Sequence, residues 1–515
     1  MNDLHRRDFL RIAGLASAAL AFPRGAFAED LALEELTVAG MQRFSARRLT
    51  EAYLARIARF DAKAIHSLIE LNPDALAIAD LLDRERAAGR VRGPLHGIPI
   101  VIKDNIDTAD RMATSAGSLA LAENIAARDA HIVRRLREAG VVLLGKTNLS
   151  EWANFRSTHS TSGWSGRGGL TKNPYAPDRN CCGSSSGTGA AVAASFAAIG
   201  VGTETDGSIV CPSSACGLVG LKPTLGLVSR TGIIPIAHNQ DTAGPMARTV
   251  TDAALLLAAM TGIDSLDAFT AKSRGHVHAD YTQFLDANGL RGARIGVARQ
   301  YFGFNDHVDK VMKDALDALK QLGATLVDPA PIEHTNDYGQ SELDVLLYEF
   351  KADLNDYLAN APASVKTRTL ADLIKFNDDN RDRELQYFGQ ELFIQAQEKG
   401  PLTTPAYRKA LAKNLHLSRE LGIDATMRKH KVDAIIAPTG GPVWTTDLVN
   451  GDHYTGGYSS ASAVAGYPHI TVPAGHAFGL PVGLSFFAEA WSEPKLLKYA
   501  FAFEQATKVR KAPTL

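Results

Sequence analysis

Short apolar runs bounded by glycine, proline or polar residues recur along the chain and predict buried strands. In chain order these runs are residues 98–102, 141–144, 200–205, 432–437, 469–473 and 482–487. Segments with apolar residues at three- and four-residue steps lie between them and predict helices at residues 33–87, 131–139 and 189–199. A further helix should follow Thr251-Asp252, which offers an N-cap. Alternating helices and strands indicate an α/β fold.

Residues 265–430 differ from the rest of the chain because they carry more charge and read as mostly helical, for example over 341–356 and 368–397. This stretch predicts a lid or an inserted helical layer. Strand-like segments continue on both sides of it, so we expect one large domain rather than three. Residues 156–183 are rich in Ser, Gly, Thr, Asn and Pro and predict a long loop, a kind of segment that is often functional.

The amino terminus carries three parts of an export signal in order. Arg6-Arg7 forms a twin-arginine pattern, an apolar run covers residues 12–22, and Ala26-Phe27-Ala28 offers a cleavage site. We therefore expect residues 1–28 to be a signal peptide cleaved after Ala28, with the twin-arginine export machinery as a partner. The mature domain, 29–515, would be periplasmic or secreted. The mature domain has no apolar run of membrane-spanning length, so we expect no stable membrane association after cleavage.

Composition limits the classes of function that the protein can have. The 515 residues are 45% hydrophobic and 22% charged with a net charge of −1, which is typical of a globular protein and gives no electrostatic footprint for nucleic acid. The only cysteines are Cys181, Cys182, Cys211 and Cys216. Their spacing does not suggest a metal site, and no metal or organic cofactor is expected. Buried free thiols are one interpretation, and a disulfide in an exported protein is the other.

Candidate chemistry lies in two glycine-serine loops and a lysine. Ser184 lies in the loop 182–189, Ser208 in the loop 205–209, and Lys103 ends the apolar strand 98–102. A serine hydroxyl needs a base to become nucleophilic, and a desolvated, neutral lysine can be that base. These residues could therefore perform acyl transfer without histidine.

Each motif taken alone allows other interpretations. Residues 183–187 fit the G-x-S-x-G elbow of α/β-hydrolases centred on Ser185, but the preceding residues 173–180 do not read as the strand that the elbow requires. A phosphate-binding loop is disfavoured because no G-x-x-x-x-G-K-[ST] sequence surrounds it. A glycine-serine turn without chemistry is the plainest alternative.

The motifs occur together, and in that combination the chain resembles the amidase signature family. The resemblance rests on residues 93–105, 183–189, 202–224, 240–248, 465–473 and 479–483. It covers nearly all of the mature chain. It implies a single large α/β domain in which helices cover a central mixed β-sheet.

The resemblance also assigns roles. It implies a Ser–cis-Ser–Lys triad in which Ser208 is the nucleophile, Ser184 relays protons after a cis Gly183–Ser184 bond, and Lys103 is the base. The two serines are 24 positions apart, a separation that fits the family. It further implies an oxyanion hole of backbone N–H groups, support of the triad by Ser185 and a structural role for Lys146. The oxyanion donors would be Thr205, Asp206, Gly207 and Ser208.

The chain departs from the family pattern at three positions near these loops. Cys182 and Asp206 stand where many members have Gly, and Val210 stands where many have Arg. None of these changes removes a triad residue. The lost arginine weakens any inference about substrate anions drawn from members that carry it.

Within the family, residues 148–156, 203–209 and 483–487 look most similar to bacterial peptide amidases, which implies removal of C-terminal amides from peptides. Residues 265–430 would then shape the acyl pocket. Aromatic side chains could line that pocket or simply pack in the core. The candidates are Phe155, Trp164 and Tyr454.

Other functions stay open at this point. Related enzymes act on aryl, fatty-acid or cyclic amides. A glutaminase component of the tRNA-dependent amidotransferase is disfavoured, because its partners are cytosolic and this chain has an export signal. A non-catalytic exported binding protein on the same scaffold is disfavoured by the intact triad.

Overall fold

An eleven-stranded sheet runs through the computed structural model, which describes residues 31–515. Its strands are β1 Leu68–Leu71, β2 Pro99–Lys103, β3 Val142–Thr147, β6 Ile199–Glu204, β7 Val219–Lys222, β8 Thr242–Ala247, β9 Arg294–Val297, β10 Thr325–Val327, β11 Ala434–Pro438, β12 His469–Ala477 and β13 Leu480–Phe487. Two further strands, β4 Trp164–Ser165 and β5 Gly169–Leu170, pair only with each other. The large sheet has the order β1-β3-β2-β6-β8-β7-β12-β13-β11-β9-β10.

Helices cover this sheet within one compact unit, Leu33–Leu515. They are α1 Val38–Met41, α2 Ala46–Phe60, α3 Ala75–Ala87, α4 His131–Glu138, α5 Ser186–Ala193, α6 Val210–Ala215, α7 Val250–Met260, α8 Asp306–Gln321, α9 Gly339–Ala359, α10 Leu370–Asp379, α11 Arg381–Glu384, α12 Glu391–Gln397, α13 Pro405–Leu415, α14 Asp424–His430, α15 Ser460–Ala465 and α16 Glu493–Thr507. The fold is the α/β domain with a mixed sheet that the family resemblance implied. No helix in the 31–515 range is long and apolar enough to cross a membrane.

The mixed strand directions decide where the candidate chemistry lies. Strands β2 and β6 pair in parallel, with Ile102 opposite Val201, so their carboxyl ends meet at one edge of the sheet. Lys103 ends β2 there, and the second glycine-serine loop leaves β6 at the same edge. From β6 the sheet continues through antiparallel pairs to β11.

Local sequence explains why the covering helices form. In α2 the side chain of Ser45 accepts a hydrogen bond from the N–H of Arg48, and apolar residues at four-residue steps face the core. Helix α8 follows the same plan, with Asn305 as its N-cap. Both helices thus bury one apolar face and leave a charged face in solvent.

The structure confirms the six predicted strands and corrects several predicted boundaries. The continuous helical prediction for residues 33–87 is wrong at β1, which lies between α2 and α3. Helix α5 ends at Ala193, earlier than predicted, because Ser195 takes a left-handed conformation with φ of 56°. Thr249, rather than Thr251-Asp252, caps α7 by accepting a hydrogen bond from the N–H of Asp252.

Four strands were missed in addition to β1 and the β4–β5 hairpin. They are β7, β8, β9 and β10. Strand β8 contains Gly244-Pro245, residues that ordinarily interrupt a strand pattern. Strands β9 and β10 lie inside the 265–430 stretch, which is therefore helical in most parts but also supplies one edge of the sheet. The predicted signal peptide, 1–28, lies outside the described residues.

Candidate active site

Lys103 lies at the centre of a buried polar cluster at the shared edge of β2 and β6. Its amine Nζ is 2.8 Å from the hydroxyl Oγ of Ser184 and 2.9 Å from Oγ1 of Thr203. The carbonyl oxygen of Thr203 is 3.3 Å away. The parallel pairing of the two strands explains why Thr203, near the end of β6, contacts a side chain from the end of β2. The lysine is therefore held toward Ser184 by two oxygen atoms of one residue.

Burial changes the proton affinity of this lysine. It lowers the pKa of Lys103 to about 7, although the negative charges of Asp241 and Glu204 act in the opposite direction. No solvent reaches the Lys103 side chain. A large fraction of the amines is thus neutral near neutral pH, as a general base requires.

Ser184 follows the cis Gly183–Ser184 peptide bond that the family resemblance implied. The next residue, Ser185, fastens this loop to its neighbours. Its hydroxyl donates to the carbonyl of Thr203 at 3.0 Å, and its N–H donates to the carbonyl of Ser208 at 3.2 Å. These two bonds tie the loop that carries Ser184 to strand β6 and to the loop that carries Ser208.

Ser208 lies in the short connection between β6 and α6 and is almost fully buried. Among the described residues, the hydroxyl of Ser208 forms no hydrogen bond with the hydroxyl of Ser184. The two loops are joined instead by the bond from the Ser185 N–H to the Ser208 carbonyl. Catalytic hydrogen bonds often tighten only once substrate is bound. Gly207, with φ of 79°, lets the chain turn sharply just before the serine.

The loop around Ser208 presents free backbone donors. Asp206, Gly207 and Ser208 donate their N–H groups to no other group among residues 31–515. The N–H groups of Ile209 and Val210 are instead occupied, since both donate to Oε2 of Glu204, at 2.7 and 3.0 Å. The N–H group of Thr205 likewise has no acceptor among the described residues, so all four residues predicted for the oxyanion hole carry unused donors close to Ser208.

The fourth predicted residue, Thr205, is anchored through its side chain. Its hydroxyl donates to Oδ1 of Asp241 at 2.6 Å. The other carboxylate oxygen of Asp241 accepts from the N–H groups of Ile236 and Ala237. Burial raises the pKa of Asp241 to about 6. This carboxylate connects the loop after β6 to the segment that precedes β8.

Several residues of this network were not assigned a role from the sequence. The sequence places Thr203, Glu204 and Asp241 only within longer motifs. Gln240 likewise lies within one of these motifs, and for Glu342 the sequence predicts only a helix over 341–356. A buried polar residue at the end of a predicted buried strand was the one available signal, and it pointed to Thr203 and Glu204.

The cysteines divide between the two interpretations that the sequence left open. Cys182 and Cys211 form a disulfide with Cα atoms 5.9 Å apart, so the free-thiol interpretation is wrong for this pair. Cys181 and Cys216 are buried free thiols. The disulfide links the loop that carries Ser184 to helix α6, which begins just after Ser208.

The aromatic residues predicted to line the pocket are placed differently from one another. Phe155 packs edge-on against Phe350, with ring centroids 5.1 Å apart. Trp164 packs in the same manner against Phe388 at 5.1 Å. Core packing, the alternative left open above, accounts for both buried rings. Tyr454 is 46% exposed and belongs to the segment between β11 and α15.

Lys146 is also buried but lies outside the serine cluster. Its amine donates to the carbonyl of Ile106 at 2.6 Å and to the hydroxyl of Thr114 at 2.8 Å. These bonds hold the segment after β2 against β3. The contacts fit the structural role expected for this lysine.

The chain is similar to known amidases over most of its length. The amidase family model matches residues 48–497. A probable amidase of Arabidopsis thaliana is 41% identical over 94% of this chain and 91% of its own length. The native peptide amidase of Stenotrophomonas maltophilia superposes with a TM-score of 0.89 at 49% identity, covering 94% of this chain and 99% of that chain. A component of the glutamyl-tRNA(Gln) amidotransferase of Alkalilimnicola ehrlichii is 35% identical over 90% of this chain and 94% of its own length. The chain therefore belongs to the amidase family and is an amide-hydrolysing enzyme.

Proposed function

We propose that this amidase hydrolyses its substrate through a Ser–cis-Ser–Lys triad made of Ser208, Ser184 and Lys103. The observation that carries the proposal is the 2.8 Å contact between the Lys103 amine and the Ser184 hydroxyl in a buried site that favours the neutral amine. Neutral Lys103 accepts the Ser184 proton, and Ser184 accepts the proton of Ser208 as the Ser208 oxygen attacks the amide carbon.

The attack forms a tetrahedral intermediate whose oxygen carries the negative charge. The N–H groups of residues 205–208 stabilise that charge, and each such donor contributes about 3 kcal/mol in well-studied hydrolases. Collapse breaks the carbon–nitrogen bond, and the relay returns a proton to the departing nitrogen, which leaves as ammonia. Water then attacks the Ser208 ester, giving up its proton to the same relay, and releases the carboxylic acid.

For the substrate, we propose the C-terminal amide of a peptide. Support comes from the likeness to the peptide amidase of Stenotrophomonas maltophilia, at 49% identity over nearly the whole chain. A further similar structure is a peptide amidase in complex with the competitive inhibitor chymostatin, with a TM-score of 0.91. We expect the region 265–430 and Tyr454 to form walls of the substrate cleft. An aryl, fatty-acid or cyclic amide is the alternative.

We also propose export through the twin-arginine route to the periplasm or beyond. The pattern Arg6-Arg7 and the sequence up to Ala28 motivate this proposal. The Cys182–Cys211 disulfide supports it, because disulfides persist mainly in oxidising compartments. Cell fractionation of the full chain and of an Arg6→Lys/Arg7→Lys variant tests it. Periplasmic or secreted protein that becomes cytoplasmic in the variant is expected, and equal location of both would contradict the proposal.

Ammonia release from a panel of amides tests the substrate. The panel contains a C-terminally amidated dipeptide, glutamine, an aryl amide and a long-chain fatty amide, with Ser208→Ala measured in parallel. We expect preference for the peptide amide and no release by the variant. Preference for another amide would overturn the peptide proposal and leave the triad intact. Full activity of Ser208→Ala would overturn the triad.

A further inference from the structure

Asp206 connects residues 205–208, here called the oxyanion loop, to the amino-terminal end of helix α15. One carboxylate oxygen accepts a hydrogen bond from the hydroxyl of Ser459, and the other accepts one from the hydroxyl of Ser460. These serines begin helix α15. Asp206 replaces the glycine of many family members, so a side chain here adds contacts that such members cannot make.

Helix α9 supplies a second carboxyl group to the same place. Glu342 is buried, and its carboxyl group lies within hydrogen-bonding reach of the Asp206 carboxyl. The side-chain amide of Gln240 donates to Oε1 of Glu342 at 3.0 Å and to the carbonyl of Thr205 at 3.3 Å. These contacts form a closed ring at the start of the oxyanion loop. Its members are Thr205, Gln240, Glu342 and Asp206.

The ring needs a proton between its two carboxyl groups. Two adjacent carboxylates in a buried site repel each other, and one of them keeps its proton. Burial and the charge of Asp206 raise the pKa of Glu342 well above its ordinary value. Gln240 occupies one oxygen of Glu342 as a donor, so a proton on the other oxygen can be donated to Asp206.

We propose that protonated Glu342 is a positioning residue, which donates a hydrogen bond to Asp206 and thereby fixes the backbone donors of residues 205–208. Loss of that proton replaces the hydrogen bond by repulsion and loosens the oxyanion loop. This proposal rests on the proposed function, because it assumes that residues 205–208 bind the oxyanion. It predicts that kcat falls at alkaline pH.

The other titratable groups around the pair do not neutralise it. They are Tyr301, Tyr338, Tyr454, Glu204 and Lys222. Burial raises the pKa of Tyr301 to about 12 and that of Tyr338 further, so these phenols stay neutral while Glu342 titrates. Lys222 is the cation of this group, but no Lys, Arg or His side chain described in the structure forms an ion pair with Asp206 or Glu342.

The test replaces Glu342 by Gln, whose amide mimics the protonated acid at all pH values. Its oxygen can accept from Gln240 while its NH₂ group donates to Asp206. Glu349→Gln is the matched control, because Glu349 is a buried acid on the same helix that bonds to Asn239 and Tyr407 instead. We expect the wild type and the control to lose kcat as rising pH removes the Glu342 proton, and Glu342→Gln to lose about threefold less or not at all.

Glu342→Ala completes the set, since it removes the donor. We expect its kcat to fall about tenfold or more across the pH range, with a smaller change in KM, because the oxyanion forms only after binding. An alkaline decline equal in wild type and Glu342→Gln would overturn the proposal, as would wild-type kcat in Glu342→Ala.

A stability measurement separates this proposal from the proposed function. A carboxyl group with a raised folded-state pKa destabilises the fold as pH rises from its unfolded value to its folded value. The difference in Tm between wild type and Glu342→Gln should therefore become less favourable to the wild type over that window. A difference in Tm that does not change with pH would contradict a proton shared between Glu342 and Asp206. If Tm follows the expectation while Ser208→Ala keeps full activity, only the triad fails.

Discussion

The amine of Lys103 lies 2.8 Å from the hydroxyl of Ser184, and no solvent reaches either side chain. A proton that moves between these two atoms therefore has no competing exchange with bulk water in the free enzyme. The same burial that encloses the contact also lowers the pKa of the lysine. Burial thus both shields this contact from solvent and favours the neutral amine of Lys103.

Removing a triad residue should abolish turnover without unfolding the protein. We expect Ser208→Ala and Lys103→Ala to lower kcat by about three orders of magnitude or more, and Ser184→Ala by about a hundredfold or more. Ammonia release measures the loss, and circular dichroism checks the fold. Lys146→Ala is the control for removal of a buried lysine. We expect it to destabilise the fold without a selective loss of kcat.

The pH dependence of the free enzyme should report Lys103. Because the amine must be neutral to accept a proton, kcat/KM should rise with pH through a midpoint of about 7. Steady-state kinetics over a pH series measures this limb. Activity that falls through the same range would mean that the protonated lysine is the active form.

Thr203 should tune that midpoint. Its hydroxyl accepts a hydrogen bond from Lys103 at 2.9 Å and one from the Asn105 amide at 3.0 Å. A hydrogen bond of this kind favours the charged amine, so Thr203→Val should move the acidic limb to lower pH. The variant should also lower kcat about tenfold, because the lysine is held less firmly. An unchanged midpoint would show that the carbonyl of Thr203 alone orients the amine.

The disulfide should stabilise the two serine loops. Cys182 and Cys211 enclose 29 positions of chain, and cross-links of that length contribute about 3 kcal/mol to the free energy of unfolding. We expect a dithiol reductant to lower Tm and kcat of the wild type but to leave a Cys182→Ala/Cys211→Ala variant unaffected. Cys216→Ala, which removes a free thiol, should still respond to reduction. A response in the double variant would place the effect elsewhere.

The candidate residues of this site were easier to identify from the sequence than the structure around them. Lys103, Ser184 and Ser208 were accessible because each lies in a short motif and the motifs follow one another in a recognisable order. Strand β8 could not be predicted in this way, since Gly244-Pro245 opposes strand formation. Only the pairing of β8 with both β6 and β7 overrides that preference. The contact between Gln240 and Glu342 spans 102 positions, and no local pattern encodes such a distant pair.

Pocket residues were the least predictable part for a related reason. Phe155, Trp164 and Tyr454 are all large aromatic residues, and the sequence treats a packed ring and an exposed ring alike. The structure separates them through tertiary contacts, with Phe350 against the first and Phe388 against the second. Side chains that surround a cleft depend on how distant segments meet, whereas Lys103 and Ser208 lie at the ends of two neighbouring strands.

The hydrogen bond from the Ser185 N–H to the Ser208 carbonyl has a consequence for how such enzymes diversify. Because it joins the loop that carries Ser184 to the loop that carries Ser208, a change that shifts one loop also shifts the other, and substitutions in both should combine non-additively. Mutations in these loops therefore offer few gradual routes to a new activity. Within 265–430, substitutions away from Glu342 and its contact with Gln240 should instead combine more nearly additively.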